Sequence, residues 1–275
     1  MKKAFSSVAC MKENYKSIVN ACVRYGLDGV EIRLGDNNTI FSAKDKATLM
    51  EIKKYFMENN VEITNLGSQI VLQKYDSKIN EQAKEIMENA TILGAKGIRI
   101  FLGNFAPKVK EVPRLDYEGI VKQLQEICEI AYLNNVEVWV ETHNEFATGK
   151  VLKKLIEDVS HESLKIIWDI IHPLEDGENI YETWQYIGDK ITHVHIKDGY
   201  DRKDPAWHDY YYTPLGEGTL PIKSVLQLLQ STHYEGYISF EWEHEWRSEL
   251  KRYSNTLDYI LTQYTDYLNN MRFLA

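Results

Sequence analysis

VEVWVETH, residues 136–143, is an apolar run closed by an acid, and its reading decides the fold because the same form recurs three more times. LKIIWDIIH (164–172) closes its apolar run on Asp169, ITHVHIKD (191–198) carries His195, and YISFEWE (237–243) carries Glu241. Successive side chains of a strand point to opposite faces. With Glu141 turned inward, Trp139 and Glu137 share its side, while Val138 and Val140 face outward. Ile167 and Lys165 share the side of Asp169, His193 and Lys197 that of His195, and Ser239 and Glu243 that of Glu241. In each run the inward residue near the end is polar and the outward residues are mostly apolar. Parallel strands of a barrel gather such ends around one mouth.

Working outward, residues 3–9, 29–33 (GVEIR), 61–67 (VEITNLG) and 97–102 (GIRIFL) read as four earlier strands. Helical patterns fall near 14–25, 44–59, 79–93, 116–134, 148–158, 178–187, 221–232 and 248–268. Gly26 and Gly94 follow two of them as stop signals. Eight alternations without a hairpin signal predict parallel strands joined by crossover helices. The fold class is α/β, a single (β/α)8 TIM barrel over residues 1–275 as one domain. The alternative is an open doubly wound sheet. No GxGxxG or GxxxxGK[ST] is present, so nothing points to a dinucleotide or a P-loop nucleotide. The least regular stretches, 68–78, 103–115 and 198–220, each follow a strand and belong to the catalytic face of such a barrel.

The formal net charge of −9 argues against general binding of nucleic acid or anionic membrane, which favour Lys and Arg clusters. Cys10, Cys22 and Cys128 make no CxxC or zinc pattern and read as free thiols of a reducing, cytoplasmic setting. The start MKKAFSSVAC reads as a first barrel strand, since its short apolar stretch holds two serines and runs into Lys12 and Glu13. No run approaches the length of a membrane span.

A lone glutamate at a strand end is more often solvated or salt-bridged than a ligand. Glu141, Asp169, His195 and Glu241 on four consecutive strands, all at one end, carry more weight. Carboxylates with one imidazole suit one divalent metal ion: Mn, Co, Mg, Fe or Zn. Such an ion stabilises an enediolate, and one carboxylate removes the proton next to a ketone while another returns it. Return to the same carbon is epimerisation, return to the neighbour is isomerisation, and loss of a β-hydroxyl is dehydration.

The chain resembles the xylose-isomerase-like barrels, a group of sugar-phosphate isomerases and epimerases. The resemblance rests on Glu141, Asp169-x-x-His172, HVHIKD (193–198), PLGEG (214–218) and Glu241. It implies Glu141, Asp169, His195 and Glu241 as metal ligands, Glu141 and Glu241 as the acid/base pair, and His172 on a substrate oxygen. Lys197, His143 and Arg202 are further candidates for substrate contact, Arg202 with Lys203 for a phosphate. The bland readings are a salt bridge for Lys197, a loop position for His143 and a satisfied core histidine for His193. Glu31 with Arg99, and Glu137 with Lys165, are expected to pair inside the barrel. Trp207, His208 and Tyr210–Tyr212 are candidates for a substrate wall or a subunit contact.

The expected function is a metal-dependent isomerase or epimerase of a small keto sugar or its phosphate. The alternatives are a keto-sugar or inosose dehydratase on the same site and a non-catalytic binding barrel. Endonuclease IV shares the barrel, but its extra histidines are missing here: the third and fourth strands end in NLGSQ and IFLGN, and Tyr210 and Tyr212 stand where its Asp-x-His would align. The expected partner is a small-molecule sugar, without nucleic acid or membrane. A homo-oligomer stays open, and Tyr and Trp near the mouth would suit a dimer.

Overall fold

The computed structural model describes residues 1–35, 45–105, 112–203 and 210–272. Eight parallel strands close into a barrel: β1 (Lys2–Ser6), β2 (Gly29–Arg33), β3 (Glu62–Leu72), β4 (Gly97–Leu102), β5 (Glu137–Glu141), β6 (Leu164–Asp169), β7 (Ile191–Ile196) and β10 (Tyr237–Phe240). β10 pairs with both β7 and β1, which completes the ring. The helices are α1 (Tyr15–Tyr25), α2 (Lys46–Glu58), α3 (Ser77–Leu93), α4 (Tyr117–Leu133), α5 (Gly149–Val159), the short α6 (Ile171–Glu175), α7 (Ile180–Ile187), α8 (Ile222–Ser231) and α9 (Leu257–Arg272). No helix among the described residues is long and apolar enough to cross a membrane.

The alternation read from the sequence divides two cores. Val138, Val140, Ile166, Trp168, Val194 and Ile196 pack outward in one large cluster with the helices. Trp139 and Ile167 point inward and form a second cluster with Ala4 and Tyr237. Gly97 makes room for this filling, because a Cβ there would stand 2.6 Å from Trp139 Nε1. Local signals end the helices where expected. The Asn14 side chain caps α1 by accepting from the Lys16 and Ser17 amides, both at 3.0 Å. Gly26 (φ 62°) and Gly94 (φ 78°) terminate α1 and α3 in the left-handed region that a Cβ disfavours.

Charges close the barrel at the strand starts. Glu62 accepts from Lys2 Nζ at 2.5 Å, lies 2.6 Å from Lys96 Nζ and accepts from the Tyr237 hydroxyl. Glu137 lies 4.0 Å from Lys165, the pairing expected at this end.

The structure departs from the sequence reading at several places. β1 ends at Ser6, and a 3-10 turn, Ser7–Cys10, takes the rest of the expected strand. β3 runs on to Leu72 through a shift of register, so part of the stretch read as loop is strand. The expected last helix is a 3-10 turn, Ser248–Arg252, followed by α9. The loop after β7 holds an antiparallel pair, β8 (Asp198–Asp201) with β9 (Tyr210–Thr213), although no hairpin was expected. No two-residue linker of the Asn-Gly or Asp-Gly type joins the two strands, so the short-hairpin signal was absent.

Asp198 ties this flap to the following loop. Its Oδ1 accepts from the Gly199 (2.8 Å) and Leu220 (3.3 Å) amides, and its Oδ2 from Gly216 (2.8 Å) and Gly218 (3.1 Å). That is the physical link between HVHIKD and PLGEG. Glu249 pins the other strand, accepting from the Tyr212 amide at 3.1 Å and from Arg202 Nη2 at 3.0 Å.

Candidate metal centre and active-site cavity

Glu141 is the last residue of β5, Asp169 the last of β6, His195 lies in β7, and Glu241 follows β10. Strand register brings them level, with Asp169 opposite His195 and His195 opposite Ser239. Thr142 locks the ends of β5 and β6 together. Its hydroxyl donates to the Asp169 carbonyl (3.0 Å) and accepts from the Asp169 amide (2.9 Å). All four side chains are buried, and one donor atom from each lies within 4.8 Å of the others.

The orientation of His195 suits a ligand. Its Nε2 lies 2.9 Å from Glu31 Oε2. Its Nδ1 faces Glu141 Oε1 at 3.5 Å and Glu241 Oε2 at 3.7 Å without a hydrogen-bond partner. Asp169 Oδ1 accepts from the Ile171 amide at 3.1 Å, and its buried Oδ2 has no hydrogen bond of good geometry, although the Lys197 ammonium is 2.7 Å away. A buried ring nitrogen without a partner, His195 Nδ1, facing the carboxylates of one oxygen-and-imidazole cluster is the feature that a divalent cation satisfies.

Glu31, His193 and His195 also bring donors together. Glu31 is already engaged by Ser6 Oγ (3.0 Å) and Asn65 Nδ2 (3.1 Å), with Arg99 at 3.5 Å. It is therefore placed to fix the ring orientation of His195, as carboxylates do behind histidines in metal sites. The expected Glu31–Arg99 pairing is present, but this closer contact to His195 was missed. The signal available was an acid in the middle of an apolar strand, GVEIR. His193 is buried as expected, yet neither of its ring nitrogens has a hydrogen-bond partner, so it is not satisfied.

Electrostatics divide the two glutamates. Burial raises the Glu141 carboxyl, but Arg99, 3.1 Å away, and His195 outweigh it and hold the group below the usual range. Burial raises Glu241, and Lys197 and His195 only partly offset that, with Glu243 and Glu141 adding to the rise. His172 is lowered by burial but raised more by Asp169, 3.4 Å away, and Glu175, 2.9 Å away, up to about 9. His143 is pushed down to about 4, first by burial and then by His172.

Above the donors lies a cavity of about 430 Å³. Glu141, Glu241, Lys197, His143 and His172 line it, and so do Glu243 and Arg99. One wall is aromatic: His143 packs on His172 (ring centroids 4.2 Å apart) and on Phe105 (4.7 Å), and the Arg99 guanidinium lies over Phe101 (4.3 Å). Trp246, half exposed, stands at the rim under Arg33. Arg202 is not among the lining residues, since it ion-pairs with Glu249 at 3.0 Å on the flap. Trp207 and His208 lie outside the described residues. Tyr212 is buried, and Tyr211 stacks on Tyr200 with centroids 5.0 Å apart. Phe101, Phe105 and Glu243 had no assigned role in the sequence reading. Spacing along one strand does not say which neighbouring loops meet over its end.

The fold agrees with the comparison to known proteins. The family model for the xylose isomerase-like TIM barrel matches residues 19–263. The chain belongs to the xylose isomerase-like TIM-barrel family. It is 24% identical to the 3-dehydroshikimate dehydratase of Bacillus anthracis over 83% of this chain and 85% of the relative. It is 23% identical to the inosose isomerase of Bacillus velezensis, covering 88% of each. Among solved structures, the IOLI protein with a bound zinc atom superposes with a TM-score of 0.79 at 20% identity, covering 98% of this chain and 99% of that one. The proteins similar to this chain thus include a dehydratase, an isomerase and, in Escherichia coli, a fructoselysine 3-epimerase.

Proposed function

We propose that this chain is a divalent-metal-dependent isomerase or epimerase of a small keto sugar or its phosphate. The observation that carries the reading is the buried cluster of Glu141, Asp169, His195 and Glu241, in which His195 Nδ1 faces Glu141 and Glu241 without a hydrogen-bond partner. These four residues would hold the ion. Their oxygen and imidazole donors fit Mn, Co, Mg, Fe or Zn, and the zinc atom in the IOLI protein supports that choice. A bound divalent ion supplies Lewis-acid polarisation of a carbonyl, which makes the adjacent C–H acidic enough for a carboxylate.

The remaining work falls to the protein. Glu141 and Glu241 come from β5 and the end of β10, with β6 and β7 between them in the barrel order. They therefore approach a substrate from two sides. Glu141, kept ionised by Arg99, removes the proton next to the ketone, and Glu241 returns one from the opposite side. His172, His143 and Lys197 line the cavity and orient substrate oxygens, with His172 as a donor. The aromatic wall of Phe101 and Phe105 excludes water from the apolar face of a sugar. The three free, buried cysteines fit a reducing cytoplasm.

The test is a panel of keto sugars, their phosphates and inososes incubated with the manganese-supplemented protein in deuterated water and read by NMR. Deuterium entering the carbon next to the carbonyl, with an isomer or epimer formed and no water lost, is the expected result. Absence of exchange and conversion across the panel would sink the reading.

A dehydratase is the second reading, favoured by His172. This residue faces the cavity, and its Nδ1 lies 2.9 Å from Glu175 Oε2. It can protonate a departing β-hydroxyl, which leaves as water while the electrons of the broken C–H bond form the new double bond. The dehydratase among the similar proteins supports it. In the same NMR experiment this reading predicts an unsaturated product.

A further inference from the structure

We propose that Lys197 is a built-in counter-ion of the metal centre, holding ligand oxygens of Asp169 and Glu241 against the entering cation and passing to Glu243 when the cation binds. The inference rests on the metal reading above. Lys197 Nζ lies 2.7 Å from Asp169 Oδ2, donates to Glu241 Oε2, and lies 2.6 Å from Glu243 Oε1. Two of these acceptors belong to the four-residue donor cluster, and Glu243 does not. The lysine therefore spans the ligands and a carboxylate outside them.

Lys197 is buried, and a buried ammonium stripped of its partners is very costly. Glu243 solves that problem. Its Oε2 is steadied by Arg247 Nε at 3.4 Å, which leaves Oε1 facing Lys197. Arg247 is in turn stacked 3.9 Å over the Tyr212 ring and donates to its hydroxyl at 2.9 Å. The receiving carboxylate is thus held in place from the flap side. Two cations cannot use the same oxygen lone pairs, and their repulsion is strong at short range in a buried site. The ion must displace the ammonium from Asp169 and Glu241, so Lys197 weakens metal binding and Glu243 eases it.

The test is calorimetric titration of manganese chloride into the full chain after chelator stripping, at neutral pH, for the wild type, Lys197→Met, Lys197→Gln, Glu243→Gln and the double variant Lys197→Met/Glu243→Gln. Both lysine variants are expected to bind manganese about tenfold tighter or more, within the range that outer-shell groups exert on metal sites. Their melting temperatures should also rise more on adding manganese than that of the wild type. Glu243→Gln is expected to bind more weakly, because Lys197 then has only the ligand carboxylates. In the double variant that loss should disappear. Equal or weaker binding by both lysine variants overturns the proposal, as does a Glu243→Gln loss that persists undiminished without Lys197. A wild type that takes up no manganese removes the metal reading together with this one. A wild type that binds manganese, with lysine variants that bind no tighter, removes this one alone.

Discussion

His195 Nε2 lies 2.9 Å from Glu31 Oε2, and that contact sends the other ring nitrogen toward Glu141 and Glu241. Strands β2 and β7 are not neighbours in the barrel, so the contact crosses its interior. Glu31→Gln keeps the shape but removes the charge that orients the ring. Metal affinity should fall by about 10–100-fold, as for other outer-shell partners. Equilibrium dialysis against manganese would measure it. Unchanged affinity would assign Glu31 to the Arg99 pairing alone.

Glu141 and Glu241 are expected to be needed separately for proton transfer. Glu141→Gln and Glu241→Gln should each lower conversion of whichever keto sugar is turned over by about 10²- to 10⁴-fold, the usual range for a general acid or base. Metal content of the same samples must be measured, because both residues are also proposed ligands. A variant that keeps both its metal and full turnover would remove that residue from the chemistry.

Glu62 predicts a pH effect at the opposite end of the barrel. Burial raises its carboxyl, but Lys2, Lys96 and Tyr237 outweigh that and bring it from 4.5 down to about 2. A group depressed in the folded state stabilises above its unfolded value and loses that contribution as pH falls through the folded one. The stability difference between the wild type and Glu62→Gln should be full at neutral pH, begin to shrink near 4.5 and vanish toward about 2. Urea denaturation across that window reads it, and a constant difference would contradict it.

Gly218→Ala tests the junction between the flap and the loop. A Cβ at this position would overlap Asp198 Oδ1 and the Gly199 amide nitrogen. Asp198 holds four backbone amides, so its carboxylate cannot move without abandoning some of them. The expected loss is on the order of 1–3 kcal/mol, typical of forced overpacking, and is measurable by denaturation. A neutral substitution would show that the loop adapts.

The barrel was legible because its strands alternate strictly: VEVWVE places Val138 and Val140 outside and Trp139 inside, and packing follows that pattern. The four proposed ligands were legible for a related reason, since each ends or nearly ends such a run. The flap was not, because YYYT carries no clear alternation of apolar and polar residues and no two-residue hairpin turn joins it to DGYD. Arg202 read as a loop residue able to meet a phosphate, but its partner Glu249 lies 47 positions away. Long-range pairing of that kind has no local signal. Glu31 and Glu243 were visible as inward acids, while their roles depend on which side chain stands opposite.

Metal analysis of the purified wild type against Asp169→Asn tests the central claim most directly. Asp169 is fully buried in the donor cluster, and its Oδ2 faces the Lys197 ammonium at 2.7 Å. The wild type should carry a divalent ion in stoichiometric amount after manganese loading and desalting, and Asp169→Asn should lose most of it. Equal metal content in the two proteins would contradict the account.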